Sequence, residues 1–216
     1  AAITERTKLV FVCNPNNPTG MIVTADEVEA FMERVPEHVL VVFDEAYYEL
    51  VDSEAYPDTL RYVREGQGNV MVMRTFSKVY GLAGVRLGYA IATPEVLAPL
   101  NRVKEPFAVN LLAQAAGIAA LEDEEFLEKS VAANREGRAF LYRGFDRLGL
   151  RHLESHANFV LVEIGPQAVE IQQRLLEKGV IVRPCVAYDL PNWLRVTVGT
   201  EAQNARLVGA LESLLR

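Results

Sequence analysis

The sequence predicts an α/β protein. Short apolar runs alternate with helical patterns along the first half of the chain. One run, VLVVF at Val39 to Phe43, is continuous and largely β-branched, as in a parallel strand covered on both faces. Beyond Pro94 the character changes to longer helical stretches followed by further strands, which points to a second, smaller α+β region.

Taken in order, Leu9 to Cys13 reads as a buried first strand, and Thr24 to Glu33 as a helix. Thr24 is placed to cap that helix, with Glu27 three residues on to complete a capping box. Val39 to Phe43, Asn69 to Met73 and Leu87 to Ala92 supply three more strands. Ala113 to Leu121 and Glu124 to Leu148 carry helical periodicity, the second ending at Gly149. There follow a strand at Phe159 to Glu163, a helix at Gln167 to Lys178, strands near Val180 and at Leu194 to Val198, and a helix at Glu201 to Leu215. The expected division is a sheet-based large domain over residues 1–120 and a small α+β domain over 121–216.

Half of the residues are apolar and 24% are charged, the composition of a soluble globular protein. No apolar run approaches the ~18–20 residues that span a bilayer, and the N-terminus lacks signal-peptide features. Cys13 and Cys185 are too few for a disulfide framework or a CxxC metal site, so the cytoplasm is expected. A net charge of −7 without a basic tract argues against nucleic-acid binding. His38, His152 and His156 show no metal-ligand spacing, so no metal is expected. Only a few polar residues precede the first strand, which suggests that an upstream part is missing.

Three motifs lie at or just beyond the C-terminal ends of expected strands, where ligands bind in doubly wound sheets. CNPNNPTG, residues 13–20, is a rigid loop in which Asn17 offers an amide donor to an anionic ring oxygen. A plain strand-to-helix connection explains that motif alone equally well. DEAYYEL puts Asp44 at the mouth of a buried strand, where an unpaired carboxylate is costly. A protonated pyridine nitrogen is a fitting partner, and Tyr47 can turn its phenol to the same ring. The plainer reading is a helix N-cap. TFSKVYGLAGVRLGY, residues 75–89, sets Lys78 among small, apolar and hydroxyl residues, which keeps an amine nucleophilic enough to form an imine. Thr75, Ser77 and Arg86 suit a phosphate, offering hydroxyl donors and a guanidinium fork. The segment does not match GxxxxGK[ST], which disfavours a nucleotide P-loop.

These motifs, with a late LRVTVGT, together resemble the fold-type I pyridoxal-phosphate aminotransferases of class I/II. EPFAVNLLAQAAGIAAL and ANFVLVEI resemble the histidinol-phosphate aminotransferases within that branch more than the aspartate enzymes. The resemblance runs from residue 7 to the C-terminus and lacks a counterpart of the family's N-terminal portion. It implies the rest of a pyridoxal-phosphate large domain, a homodimer, and transamination between L-histidinol phosphate and 2-oxoglutarate. It also implies roles: Lys78 forms the Schiff base and moves the substrate proton, and Asp44 keeps the pyridine nitrogen protonated. Asn17 and Tyr47 meet the phenolic oxygen, while Thr75, Ser77 and Arg86 bind the phosphate. Arg195 takes the substrate's phosphate or carboxylate, with Arg183 as a second anion contact or else a structural arginine. Tyr188 and Trp193 either line the substrate pocket or pack in the core. Alternatives are an aromatic or other amino-acid aminotransferase, a threonine-phosphate decarboxylase, and a truncated, non-catalytic assembly remnant. Without the family's N-terminal portion, little or no transaminase activity is expected of these residues alone, with exposed strand edges prone to associate.

Overall fold

The computed structural model describes residues 2–215. The chain forms two compact units, Ala1–Pro15 with Ile22–Leu127, and Asn16–Met21 with Glu128–Arg216.

The first unit holds a four-stranded sheet of β1 (Leu9–Cys13), β2 (Leu40–Asp44), β3 (Val70–Thr75) and β4 (Gly88–Ala92), in that spatial order. β1, β2 and β3 are parallel, and β4 returns antiparallel beside β3. Side chains of period two divide the core between the faces. Val41, Phe43, Val70 and Val72 pack against α1 (Ala25–Met32) and α2 (Leu60–Arg64). Val42, Met71 and Ala92 meet Val96 and Leu97 of α3 (Pro94–Val103) on the other face. Each such buried aliphatic side chain contributes about 1.5–3 kcal/mol. Helices thus cover both faces of a mixed sheet. The capping box at α1 is formed: the backbone N–H of Glu27 donates to Thr24 Oγ1, and Thr24 N–H donates to Glu27 Oε2 at 2.8 Å.

Two strands depart from the sequence-based expectation. β1 is not buried: Leu9 and Phe11 are 52% and 61% exposed. It is an edge strand, and although Val12 joins the α1 side of the core, the α3 side of the core is built on β2, β3 and β4. The other departure lies in the second unit, where the strand expected near Val180 sits at Arg183–Cys185 (β6). Val180 N–H instead donates to Leu175 O at 2.9 Å, and Gly179 takes φ 71, closing the helix Ala168–Glu177 with an αL cap.

α4 (Leu111–Glu122) starts at Asn110, whose Oδ1 accepts from Ala113 N–H at 2.8 Å. Its Ala113 and Gly117 are buried, while Leu111 and Leu112 stay exposed. α5 (Glu124–Arg147) ends in the same way as the Ala168–Glu177 helix, which is α6: Gly149 has φ 68 and Leu150 N–H donates to Phe145 O at 2.9 Å. The second unit carries a three-stranded antiparallel sheet of β5 (Phe159–Glu163), β7 (Leu190–Thr197) and β6, with β7 central. Pro184 is tolerated in β6 because that strand lies at the edge. Leu141 and Phe145 of α5, Leu175 of α6, and Leu207 and Leu211 of α7 (Glu201–Leu215) bury against Val160, Leu194 and Val196. Residues 16–21 join this unit through His156 N–H, which donates to Gly20 O at 2.8 Å. Among the described residues no helix is long and apolar enough to cross a membrane.

Candidate functional site

Parallel pairing sets the C-terminal ends of β2 and β3 side by side, with Asp44 opposite Met73. Because β4 runs the other way, its first residues reach the same sheet edge, with Gly88 opposite Thr75. A cavity of about 630 Å³ opens there, lined among others by Asp44, Thr75, Ser77, Lys78 and Arg86. That volume suits a small cofactor.

The segment after β3 is anchored by alternate burial. Phe76, Val79 and Tyr80 are buried, and the Phe76 ring lies 5.1 Å from Tyr80 and 5.8 Å from Tyr89. Ser77 and Lys78, between these anchors, line the cavity. Lys78 Nζ lies 5.4 Å from the centroid of the Tyr47 ring. Tyr47 itself is buried and is not among the residues that line the cavity. Thr75 Oγ1 accepts from Ser77 N–H at 3.1 Å, a turn that fixes both hydroxyl residues. Asp44 is half-buried, and Oδ1 accepts only a backbone N–H, that of Ala46 at 3.2 Å. No ion pair engages it among the described residues. Asp44 ends a strand and caps no helix. Arg86 has φ 59, in the left-handed region that costs a non-glycine residue roughly 1–2 kcal/mol, and Nη1 donates to Ala83 O at 2.8 Å.

Beneath this wall lies a polar group that sequence reasoning missed. Asp44, the last residue of β2, lines the cavity, while Glu45, the next residue, is buried. Glu45 accepts from Thr59 Oγ1 at 2.5 Å and from Arg74 Nε and Nη2 at 2.9 and 2.8 Å. The Arg74 guanidinium also stacks 3.4 Å from the Tyr48 ring centroid. Burial pushes the Glu45 carboxyl pKa up, opposed by the contacts from Thr59 and Arg74. The available signal was a lone arginine closing the apolar strand VMVM.

Burial also raises the pKa of Tyr80, to about 12, with the Glu49 charge adding to it; Tyr56 and Tyr89 move the same way, chiefly through burial. Unfolded tyrosine ionises near pH ~10. A raised folded value means stability that is complete below the unfolded pKa and is lost as pH climbs through the folded one. Urea midpoints should therefore fall from pH ~10 upward, and Tyr80→Phe should make that fall shallower. An unchanged slope in the variant would remove Tyr80 as a contributor.

In the second unit, Arg183 and Arg195 are directly paired across β6 and β7. Both line a cavity of about 480 Å³ whose wall includes Tyr188 and, among the described residues, no acidic one. Arg195 Nη1 donates to Asn17 Oδ1 at 2.5 Å, and its Nε is buried without a partner. Its guanidinium carbon lies 5.0 Å from the Phe159 ring centroid. Trp193 is not in this wall; it lies under Arg151, 5.3 Å from ring centroid to guanidinium carbon. His152 stacks on Tyr142 at 4.7 Å and pairs with Asp146 at 3.0 Å. Among the described residues no group of side chains could hold a metal ion.

The structure thus gathers Asp44, Thr75, Ser77, Lys78 and Arg86 round one cavity, with the Tyr47 ring beside Lys78, and sets Asn17, Arg183 and Arg195 together in the other unit. An α/β sheet with an amine, a carboxylate and an arginine at its strand ends is a protein with a ligand site at the carboxyl edge. The chain belongs to the aminotransferase class I and II family, whose model matches residues 1–211. Histidinol-phosphate aminotransferase of Moorella thermoacetica is 53% identical over 215 residues, covering 100% of this chain and 56% of that protein. Histidinol-phosphate aminotransferase of Sinorhizobium meliloti, solved in complex with pyridoxal-5'-phosphate, superposes with a TM-score of 0.89 at 34% identity, covering 97% of this chain and 57% of that one. L-threonine-O-3-phosphate decarboxylase of Porphyromonas gingivalis gives a TM-score of 0.80 at 25% identity, covering 96% of this chain and 64% of that one. The chain spans 56–59% of the length of the curated relatives it matches.

Proposed function

We propose that this chain is the lysine-bearing part of a pyridoxal-5'-phosphate-dependent aminotransferase that exchanges the amino group between L-histidinol phosphate and 2-oxoglutarate, giving imidazole acetol phosphate and L-glutamate in histidine biosynthesis. In this reading the first unit is the C-terminal portion of a cofactor-binding large domain and the second is the small domain. The donor set of the first cavity fits the cofactor: a carboxylate for a pyridinium, an amine for an aldehyde, and hydroxyls with a guanidinium for a phosphate. When bound, the cofactor supplies an electron sink for the pair left behind as a substrate carbon loses its proton. Lys78 Nζ takes that proton and returns it, general acid–base work at one atom. Asp44 holds the ring nitrogen protonated, and Thr75, Ser77 and Arg86 hold the phosphate. Tyr47 lies beside Lys78 and, with Asn17, is assigned to the phenolic oxygen by the resemblance.

The observation that carries the choice of substrate is the pair Arg183 and Arg195, directly opposite each other round a cavity lined, among the described residues, by no acidic one. Like charges so placed repel, and a dianionic phosphate relieves the repulsion with charge-assisted hydrogen bonds. Asn17 steadies Arg195. L-threonine O-3-phosphate satisfies the same clamp, so decarboxylation of that compound is the second reading. Steady-state kinetics of the full-length protein separate them. Transfer from L-histidinol phosphate to 2-oxoglutarate is expected, with Arg183→Ala raising its KM by about tenfold or more. Faster turnover of phenylalanine, or carbon dioxide release from threonine phosphate, would reject the proposed substrate.

The proposal includes a homodimer in the cytoplasm. Exposed Phe107, Leu111 and Leu112 are an apolar surface suited to a second copy. Cys13 and Cys185 are both free thiols, as a reducing compartment keeps them.

A further inference from the structure

We propose that Arg74 is a positioning residue: its buried pairing with Glu45 locks the ends of β2 and β3 together and so fixes Asp44 and Lys78 across the cavity. The inference rests on the cofactor reading above and adds a residue pair to it. Asp44 ends β2 and Glu45 follows it directly, and Arg74 and Thr75 are the last two residues of β3. The backbone link is a single bond at this point, Glu45 N–H to Met73 O at 2.9 Å. Beyond it the parallel ladder stops: β2 ends at Asp44, while β3 runs on through Arg74 and Thr75 paired with β4 alone. The side chains then carry the connection. Arg74 Nε and Nη2 grip the same carboxylate oxygen of Glu45, and the other oxygen takes the Thr59 hydroxyl. The Glu45 side chain is 0% exposed and that of Arg74 is 13% exposed, so water screens the pair little. Tyr48, four residues after Asp44, covers the guanidinium face and ties in the turn that carries Tyr47.

A fork on one oxygen fixes direction as well as charge. Lysine in place of Arg74 keeps the charge and loses the fork. Arg74 itself lines the cavity and Glu45 does not, so it is the Glu45 variant whose effect must pass through its neighbours.

The experiment uses the full-length protein loaded with pyridoxal 5'-phosphate. Three quantities are read: the cofactor's dissociation constant, the pH midpoint of its visible absorption band, and the melting temperature of the cofactor-free protein. Glu45→Gln is expected to weaken cofactor binding about tenfold and to displace the midpoint. Arg74→Lys is expected to do the same. Thr59→Val, which removes one donor and leaves both charges, should shift both in the same direction by less, and it stands in should either of the first two fail to fold. A lower melting temperature with unchanged affinity and midpoint would make the pair structural only and overturn the proposal. So would full retention of both in Arg74→Lys, which would make the charge alone sufficient. If the unsubstituted protein has no visible band that disappears in Lys78→Ala, the cofactor reading itself fails, and the inference with it.

Discussion

Lys78→Ala in the full-length protein is expected to abolish the visible absorption of bound pyridoxal 5'-phosphate and to lower kcat by about 10⁴-fold or more. Positioned acid–base groups contribute roughly 10²–10⁴-fold, and loss of covalent attachment adds to that. Among the described residues no other lysine lines the cavity. Folding should be little affected, because Lys78 is half-buried and makes no ion pair among the described residues. A melting temperature near that of the unsubstituted protein would show that the loss is chemical. Retained turnover would mean that another amine does the work.

Asp44→Asn is the second large effect. The substitution preserves shape and, on the proposed reading, removes the charge that would face the pyridine nitrogen. With that nitrogen no longer held protonated, the cofactor would be a weaker electron sink. A fall in kcat of about 10²–10³-fold is expected, equivalent to ~3–4 kcal/mol of barrier. The group is well suited to test this, since among the described residues its carboxylate accepts one hydrogen bond, from Ala46 N–H, which an asparagine oxygen can still accept. Asp44→Glu keeps the charge but lengthens the side chain, so it should lie between the two. Equal rates for Asp44→Asn and the unsubstituted protein would remove Asp44 from the chemistry.

Most of the fold was legible because local signals agreed with burial. VLVVF had to be a central strand, and it is β2, with Val41, Val42 and Phe43 fully buried. Thr24 with Glu27, and Gly149, marked helix ends by the hydrogen bonds they offer. What could not be read was decided by tertiary context. LVFVC has the composition of a buried strand, yet its position at the edge of the sheet leaves Leu9 and Phe11 exposed. The run GVIVRP was ambiguous because Val180 closes a helix before Arg183 starts a strand. α3 carries no clear helical signal because Pro99 lies inside it, and α2 carries none because it is only five residues long.

The candidate site divides along similar lines. Lys78, Asp44 and Thr75 stand out because each sits where an apolar strand gives way to polar residues. The register that brings them to one cavity, with β4 reversed so that Arg86 and Gly88 arrive at the same edge, is a pairing fact that no local pattern carries. Glu45 and Arg74 lie 29 positions apart, and their ion pair follows from the β2–β3 alignment alone. The pairing of Arg183 with Arg195 likewise depends on which residues of β6 and β7 meet.

Borohydride reduction of the cofactor-loaded, full-length protein, followed by peptide mass mapping, reads out directly which amine holds pyridoxal 5'-phosphate. The expected result is a single pyridoxyl adduct on the peptide containing Lys78, absent from Lys78→Ala. An adduct on Lys8, Lys104, Lys129 or Lys178 instead, or no adduct at saturating cofactor, would contradict the assignment of the cavity at the ends of β2 and β3 as the cofactor site.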